Sequence, residues 1–178
     1  GRIVAGLTKT EFDGQIKSSR DILAGVSPEG ILGPVYVDFG EGSPRASRDG
    51  AADEGHIYEP LLGRWDLDEK GRIWIAPHRD EYLLHVVDDT GQVVLEATRT
   101  YDPPARSTAE LRKVRASYER KWSKSGLPVK IADTAPCIEK LWIMENPWGT
   151  EIWVEPGASH HDLPEGVMVR YDNFNLDG

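Results

Sequence analysis

Trp65-Asp66-Leu67-Asp68-Glu69-Lys70-Gly71-Arg72-Ile73-Trp74-Ile75-Ala76 decides how this chain folds. A short strand runs into the turn Glu69-Lys70-Gly71. Arg72 to Ala76, rich in β-branched and aromatic side chains, runs back from it. After residues 77–81 the pattern returns as Tyr82-Leu83-Leu84-His85-Val86-Val87. It turns at Asp88-Asp89-Thr90-Gly91 and runs back through Gln92-Val93-Val94-Leu95-Glu96-Ala97. Four short strands with three connections make up the content of one antiparallel sheet.

The same arrangement recurs downstream. Ile138 to Ile143 reads as a first strand, Asn146-Pro147-Trp148-Gly149 as the turn, and Glu151 to Glu155 as a second strand. Ile152-Trp153-Val154 matches Ile73-Trp74-Ile75, and Val167 to Asp172 matches Leu83 to Asp88 as a third strand. Asn175-Leu176-Asp177-Gly178 falls where the turn at Asp88 to Gly91 fell. A fainter copy stands at the start. Its strands are Arg2 to Leu7, Asp21 to Val26 and Pro34 to Phe39, with the turn Ser27-Pro28-Glu29-Gly30 before the last. A repeated four-stranded unit cannot bury both faces by itself, so such units stack as blades around an axis. The expectation is an all-β fold of β-propeller blades, at about 1–48, 60–100 and 136–178, forming one partial domain. Gly1, with no initiator Met, and the closing Asp177-Gly178, a hairpin dipeptide, read as cuts through a longer protein.

Residues 105–126 break the pattern with one inserted α-helix. Ser107-Thr108-Ala109-Glu110 is a capping box, and Leu111, Val114, Tyr118 and Trp122 follow at helical spacing. Gly126 and Pro128 end it. Arg112, Lys113, Arg115, Arg120 and Lys121 cover the rest of its surface. An acidic partner or an anionic lipid could meet them, but packing through the apolar stripe with the charges in water is the better reading.

The run from Asp68 to Ala76, followed by Leu84 to Gly91, resembles the blade repeat of six-bladed propellers of the NHL-repeat-like type. Their repeats read Asp-x-x-Gly-x-Ile-Tyr/Trp-Val and then Val-x-Val-Phe-Asp-x-x-Gly. Tyr101-Asp102-Pro103-Pro104 with its charged helix is similar to a bacterial subgroup of those propellers. The resemblance implies a whole protein of about six blades, of which this fragment holds about three. It also implies an extracytoplasmic location, periplasmic or secreted. It implies no reaction, because one propeller fold hosts many functions.

Composition narrows the partners. Net charge is -9, which argues against a nucleic-acid backbone as partner. The one cysteine, Cys137, excludes an internal disulfide and a cysteine-based zinc site. No run reaches the apolar length of a membrane span, and no signal peptide is present in these residues.

Strand direction places the long connections at 40–63, 77–81, 101–136 and 156–166 on one face, the expected recognition face. His78, Arg79 and Asp80 lie in one of its loops, and His160, His161 and Asp162 in the equivalent loop a blade later. Imidazole and carboxylate can serve a metal or proton transfer. Two adjacent histidines do not make a metal site, and a solvated loop is the stronger reading. Among the tryptophans Trp65, Trp74, Trp142, Trp148 and Trp153, an exposed pair would suggest carbohydrate or ligand stacking. The matched repeat positions of Trp74 and Trp153 instead favour packing between blades. Asp13-Gly14, Asp49-Gly50 and Asp53-Glu54 offer oxygen ligands for calcium, yet no twelve-residue calcium loop is present and turn chemistry is simpler. No cofactor is predicted, and no Gly-x-Ser-x-Gly elbow, phosphate loop or dinucleotide fingerprint occurs. The residues therefore favour a ligand- or protein-binding propeller scaffold over an enzyme. The alternative is a metal-assisted hydrolase or lactonase of the six-bladed type. Its metal ligands, by resemblance Glu, Asn and Asp at blade starts, cannot be matched residue by residue here, so none is carried over.

Overall fold

The computed structural model describes residues 3–13, 16–41, 51–54, 63–122, 126, 128–157 and 165–175. In chain order the strands are β1 (Ile3–Asp13), β2 (Ile16–Val26), β3 (Leu32–Glu41), β4 (Ala52–Asp53), β5 (Trp65–Leu67), β6 (Ile73–Ile75), β7 (Leu83–Val87) and β8 (Val93–Thr98). Helix α1 (Thr108–Trp122) follows, then β9 (Val129–Lys130), β10 (Ile138–Asn146), β11 (Gly149–Pro156) and β12 (Asp172–Asn175). The fold is mostly β, as expected, in three antiparallel sheets and one short parallel pair among the described residues. Two compact units divide it: Gly1–Glu59 with Pro104–Ala135, and Pro60–Pro103 with Pro136–Gly178.

One turn chemistry recurs in both units. Asp68 and Asp88 each open a hairpin in which the carboxylate accepts backbone N–H groups, from Arg72 in one and from Thr90 and Gln92 in the other. The glycine three residues on returns its N–H to the aspartate carbonyl, at 2.9 Å for Gly71 and 3.2 Å for Gly91. Both glycines lie at positive φ, 74° and 87°, where a side chain would be strained. Between β2 and β3, Ser27 replaces the aspartate, its hydroxyl accepting from Glu29 and Ile31, and Gly30 closes the turn at φ 79°. These are the turns read from the sequence.

In the first unit, β1, β2 and β3 form an antiparallel meander. The pairing runs without a break from Ile3↔Val26 to Asp13↔Ile16. This corrects the expectation of a strand ending at Leu7 and a second one starting at Asp21. Cross-strand polar partners such as Thr8 and Asp21, bonded at 2.7 Å, let the ladder continue past the apolar run. Ile22, Leu23, Ala24 and Tyr36 are buried. A side chain at Gly25 would come within 2.8 Å of the Tyr36 hydroxyl, so glycine there lets the ring lie across β2.

The rest of that unit holds the expected inserted helix and one strand pairing that the sequence does not reveal. β4 pairs in parallel with β9. The capping box is formed: the Ser107 N–H donates to Glu110 at 2.7 Å, and the Glu110 N–H donates to the Ser107 hydroxyl at 3.3 Å. Leu111, Val114 and Tyr118 are half-buried on one side of α1. Arg115 donates to the Val129 carbonyl, joining the helix to β9. Glu54 accepts both guanidinium nitrogens of Arg106, at 2.6 and 2.7 Å, and the Ala132 N–H at 3.1 Å. Asp53 pairs with Lys130 at 2.8 Å. The acidic pair considered for calcium thus faces protein cations. The side chain of Asp13, with Gly14, Asp49 and Gly50, lies outside the described residues.

In the second unit β5-β6-β7-β8 form one antiparallel sheet in chain order, and β10-β11-β12 a second. Trp74, Leu84 and Val86 from the first share a core with Ile138, Leu141, Ile152 and Val154 from the second. The first strands lie side by side: the Asp66 carboxylate accepts the Ile143 N–H at 2.8 Å, and the Gly63 carbonyl accepts that of Leu141 at 2.8 Å. Side chains alternate along a strand, so the parity is informative. Trp74 points into this core, while its repeat counterpart Trp153 lies between Ile152 and Val154 and faces away. The front of one sheet therefore rests on the back of the next, a head-to-tail stack. Trp74 serves as packing, as expected, and Trp153 does not pack in this core.

The third strand of the second sheet corrects the sequence reading. It is Asp172–Asn175, and Val167 to Arg170 are in no strand. The register Ile152↔Phe174 brings Phe174 against the core, whereas Val167 and Met168 are exposed. Burial of one aromatic ring outweighs the β-branched run that suggested the earlier strand. Of the closing residues, Asn175 lies in the strand, and 176–178 are outside the described residues.

Asp68 ties the first sheet to its own turn. Its carboxylate accepts Arg72 Nε at 2.6 Å, the Arg72 N–H at 2.9 Å and the Trp74 indole at 3.2 Å. Burial alone would raise its pKa, but the Arg72 and Trp74 hydrogen bonds and the Arg72 charge together hold it below the usual range. A depressed carboxylate contributes stability above its unfolded pKa and loses it as pH falls through the folded value. Asp68→Asn should cost about 1.5–3 kcal/mol at neutral pH. Its stability should also decline less steeply below about pH 4. Urea unfolding at neutral and acid pH measures both, and parallel acid profiles for the two proteins would contradict this account.

Candidate functional site

The loop after β6 and the start of the loop after β11 meet at one end of the second unit's sheets. They are joined there by Cys137, just ahead of β10. The Arg79 carbonyl accepts the Cys137 N–H at 2.7 Å, and the Cys137 carbonyl accepts that of Gly157 at 3.3 Å. His78 is exposed on this rim, with its ring edge-on to His85 at 6.5 Å. His85 in turn lies 3.2 Å from its cross-strand partner Glu96. Asp80 is exposed. Arg79 is buried, and its guanidinium donates to Asp80, so it braces the rim more than it faces solvent. His160, His161 and Asp162 fall on the second loop, outside the described residues.

Cys137 is fully buried. Burial, with the Asp80 carboxylate next, pushes its thiol up, so at neutral pH it stays a thiol and is no nucleophile. Among the described residues no three His, Cys, Asp or Glu side chains gather as a metal site requires. Among them also, no helix is long and apolar enough to cross a membrane.

Below the rim lies a cluster that the sequence did not reveal. Tyr82 donates its hydroxyl to Asp172 at 2.6 Å, and Arg99 pairs with the same carboxylate at 2.8 Å. The Arg99 guanidinium sits 4.3 Å over the Tyr82 ring and 5.3 Å from that of Tyr101. Burial, and then the bond to Asp172, raise the Tyr82 pKa, so the phenol remains a donor. The cluster ties β12 to the loop that leads into β7. It depends on the register that puts Asp172 at the start of β12, and a different register had been expected.

The outward face of β10–β12 is aromatic. Trp142 and Trp153 are cross-strand partners, and Tyr171 meets both edge-on at 5.1 and 5.9 Å. Trp148, in the hairpin, is 68% exposed. Its indole N–H donates to Glu151 at 3.1 Å, the Trp153 indole donates to the other carboxylate oxygen at 3.0 Å, and Asn173 adds a donor at 3.2 Å. These donors, the Trp148 indole foremost, hold the Glu151 carboxyl below its usual range. The two-residue alternation of Trp142-x-Met144 and Glu151-x-Trp153 was the available signal for this face.

Two packed sheets, a looped rim and one aromatic face thus mark the second unit of a mostly β protein. No known protein family matches the chain, and comparisons with curated proteins and with solved structures find nothing similar.

Proposed function

We propose that this chain is part of a binding scaffold of the β-propeller type, taking a protein or small-molecule ligand at the rim around His78 and Asp80. The observation that carries this reading is the Cys137 bridge. One residue joins Arg79 to Gly157, at the start of the loop after β11, by backbone hydrogen bonds, so His78 and Asp80 are presented from a fixed base. The head-to-tail stacking in the second unit supports the propeller architecture, because repeats that close around an axis must present front to back.

The test is a crystallographic soak with a few hundred small fragments. Hits should cluster within reach of His78, and His78→Ala should reduce their occupancy. Hits that scatter, or that gather only elsewhere on the protein, would remove the rim from consideration.

A further inference from the structure

The outer face of β10–β12 occupies the position that, in the first sheet, meets another sheet, yet its chemistry is different. Beside Trp74 the register places Val86, with Leu84 two residues before it. Beside Trp153 it places Asn173, with Tyr171 two residues before it, and Glu151 joins the same face. An aliphatic sheet packed here would desolvate the Glu151 carboxylate and give it nothing in return. The face is therefore suited to a ligand that uses the charge.

Donors already crowd Glu151, among them the indoles of Trp148 and Trp153 and the Asn173 amide. A sugar would find few of its acceptor sites open. An anion would meet a carboxylate on a chain of net charge -9. What the face offers is ring surface together with negative charge, the combination that attracts cations to aromatic rings. The bond from each indole edge to a carboxylate also pushes electron density towards the ring faces, which strengthens that attraction. Trp148 is held by the same bond while 68% exposed, so little ordering is lost on binding.

We propose that the Trp148–Glu151–Trp153 face, with Tyr171, binds a small organic ammonium ion, quaternary or alkylated. This inference is independent of the rim. Its test follows the indole N–H resonances of the ¹⁵N-labelled chain, with Trp148→Phe and Trp153→Phe variants assigning those two signals. The probe is choline, and the control is 3,3-dimethylbutan-1-ol, which has the same shape without the charge. Choline should shift the Trp148 and Trp153 signals saturably, about five-fold or more tighter than the alcohol. The Trp74 signal, buried against Asp68, should stay in place as a control for folding. Glu151→Gln should bring choline down to the level of the alcohol. Equal binding of choline and the alcohol would leave only an apolar patch and overturn the proposal. So would choline binding unchanged in Glu151→Gln, or no response to choline at all. Shifts with cellohexaose but not choline would assign the face to carbohydrate. Concentration-dependent dimerisation that broadens the same two signals would assign it to a second copy. Either result overturns the ammonium site.

Discussion

Trp74→Ala will cost about 3–5 kcal/mol of folding stability. Trp74 is 2% exposed and packs in the core shared by both sheets of its unit. Truncation leaves a cavity between those sheets. It also removes the indole N–H from Asp68, whose side chain is 1% exposed. Domains are stable by only about 5–15 kcal/mol, so this loss is a large part of the total. Urea unfolding measures it. The informative comparison is Trp153→Ala, at the matching repeat position but facing outward. That change should cost about 1 kcal/mol, the centre of the range for point substitutions. Equal costs at the two positions would mean that the sheets do not stack front to back.

Arg106→Met will destabilise the first unit by about 3–5 kcal/mol, because it leaves the Glu54 carboxylate buried without its cation. Both side chains of the pair are 8% exposed, and the bond is bidentate. Helix α1 starts two residues after Arg106, so the loss should appear first as faster proteolysis within 104–135 and a weaker helical signal. Adding Glu54→Gln should recover most of the stability. A neutral amide can still accept the Ala132 N–H and costs far less to bury than a lone carboxylate. A double variant no more stable than Arg106→Met would show that the charge pair is not the cause.

Much of this fold is legible in local chemistry. Asp68-x-x-Gly71 and Asp88-x-x-Gly91 specify their turns because the carboxylate satisfies backbone N–H groups and glycine accepts positive φ. The capping box at Ser107 and Glu110 specifies the start of α1 in the same local way. The exposed loop positions of His78 and Asp80 were legible, since the strands on either side bound that loop. Arg79 was not: whether an arginine in a loop faces solvent or braces the backbone depends on what packs over it. The Tyr82–Arg99–Asp172 cluster was hidden for a related reason, as its members are up to ninety residues apart in sequence.

The sequence by itself determined the strands of the four-stranded sheet, the hairpin after β10, their turns and the helix cap, because each depends on neighbours within a few residues. Only the tertiary structure decided the long β1–β2 ladder, the parallel pairing of β4 with β9, the start of β12 at Asp172 and the direction in which Trp153 points. Two-residue alternation divides a strand into two faces without saying which one meets another sheet. That choice is made where apolar surface is buried, by Phe174 and Trp74 on the inside, and it leaves Trp148, Glu151 and Trp153 on the outside.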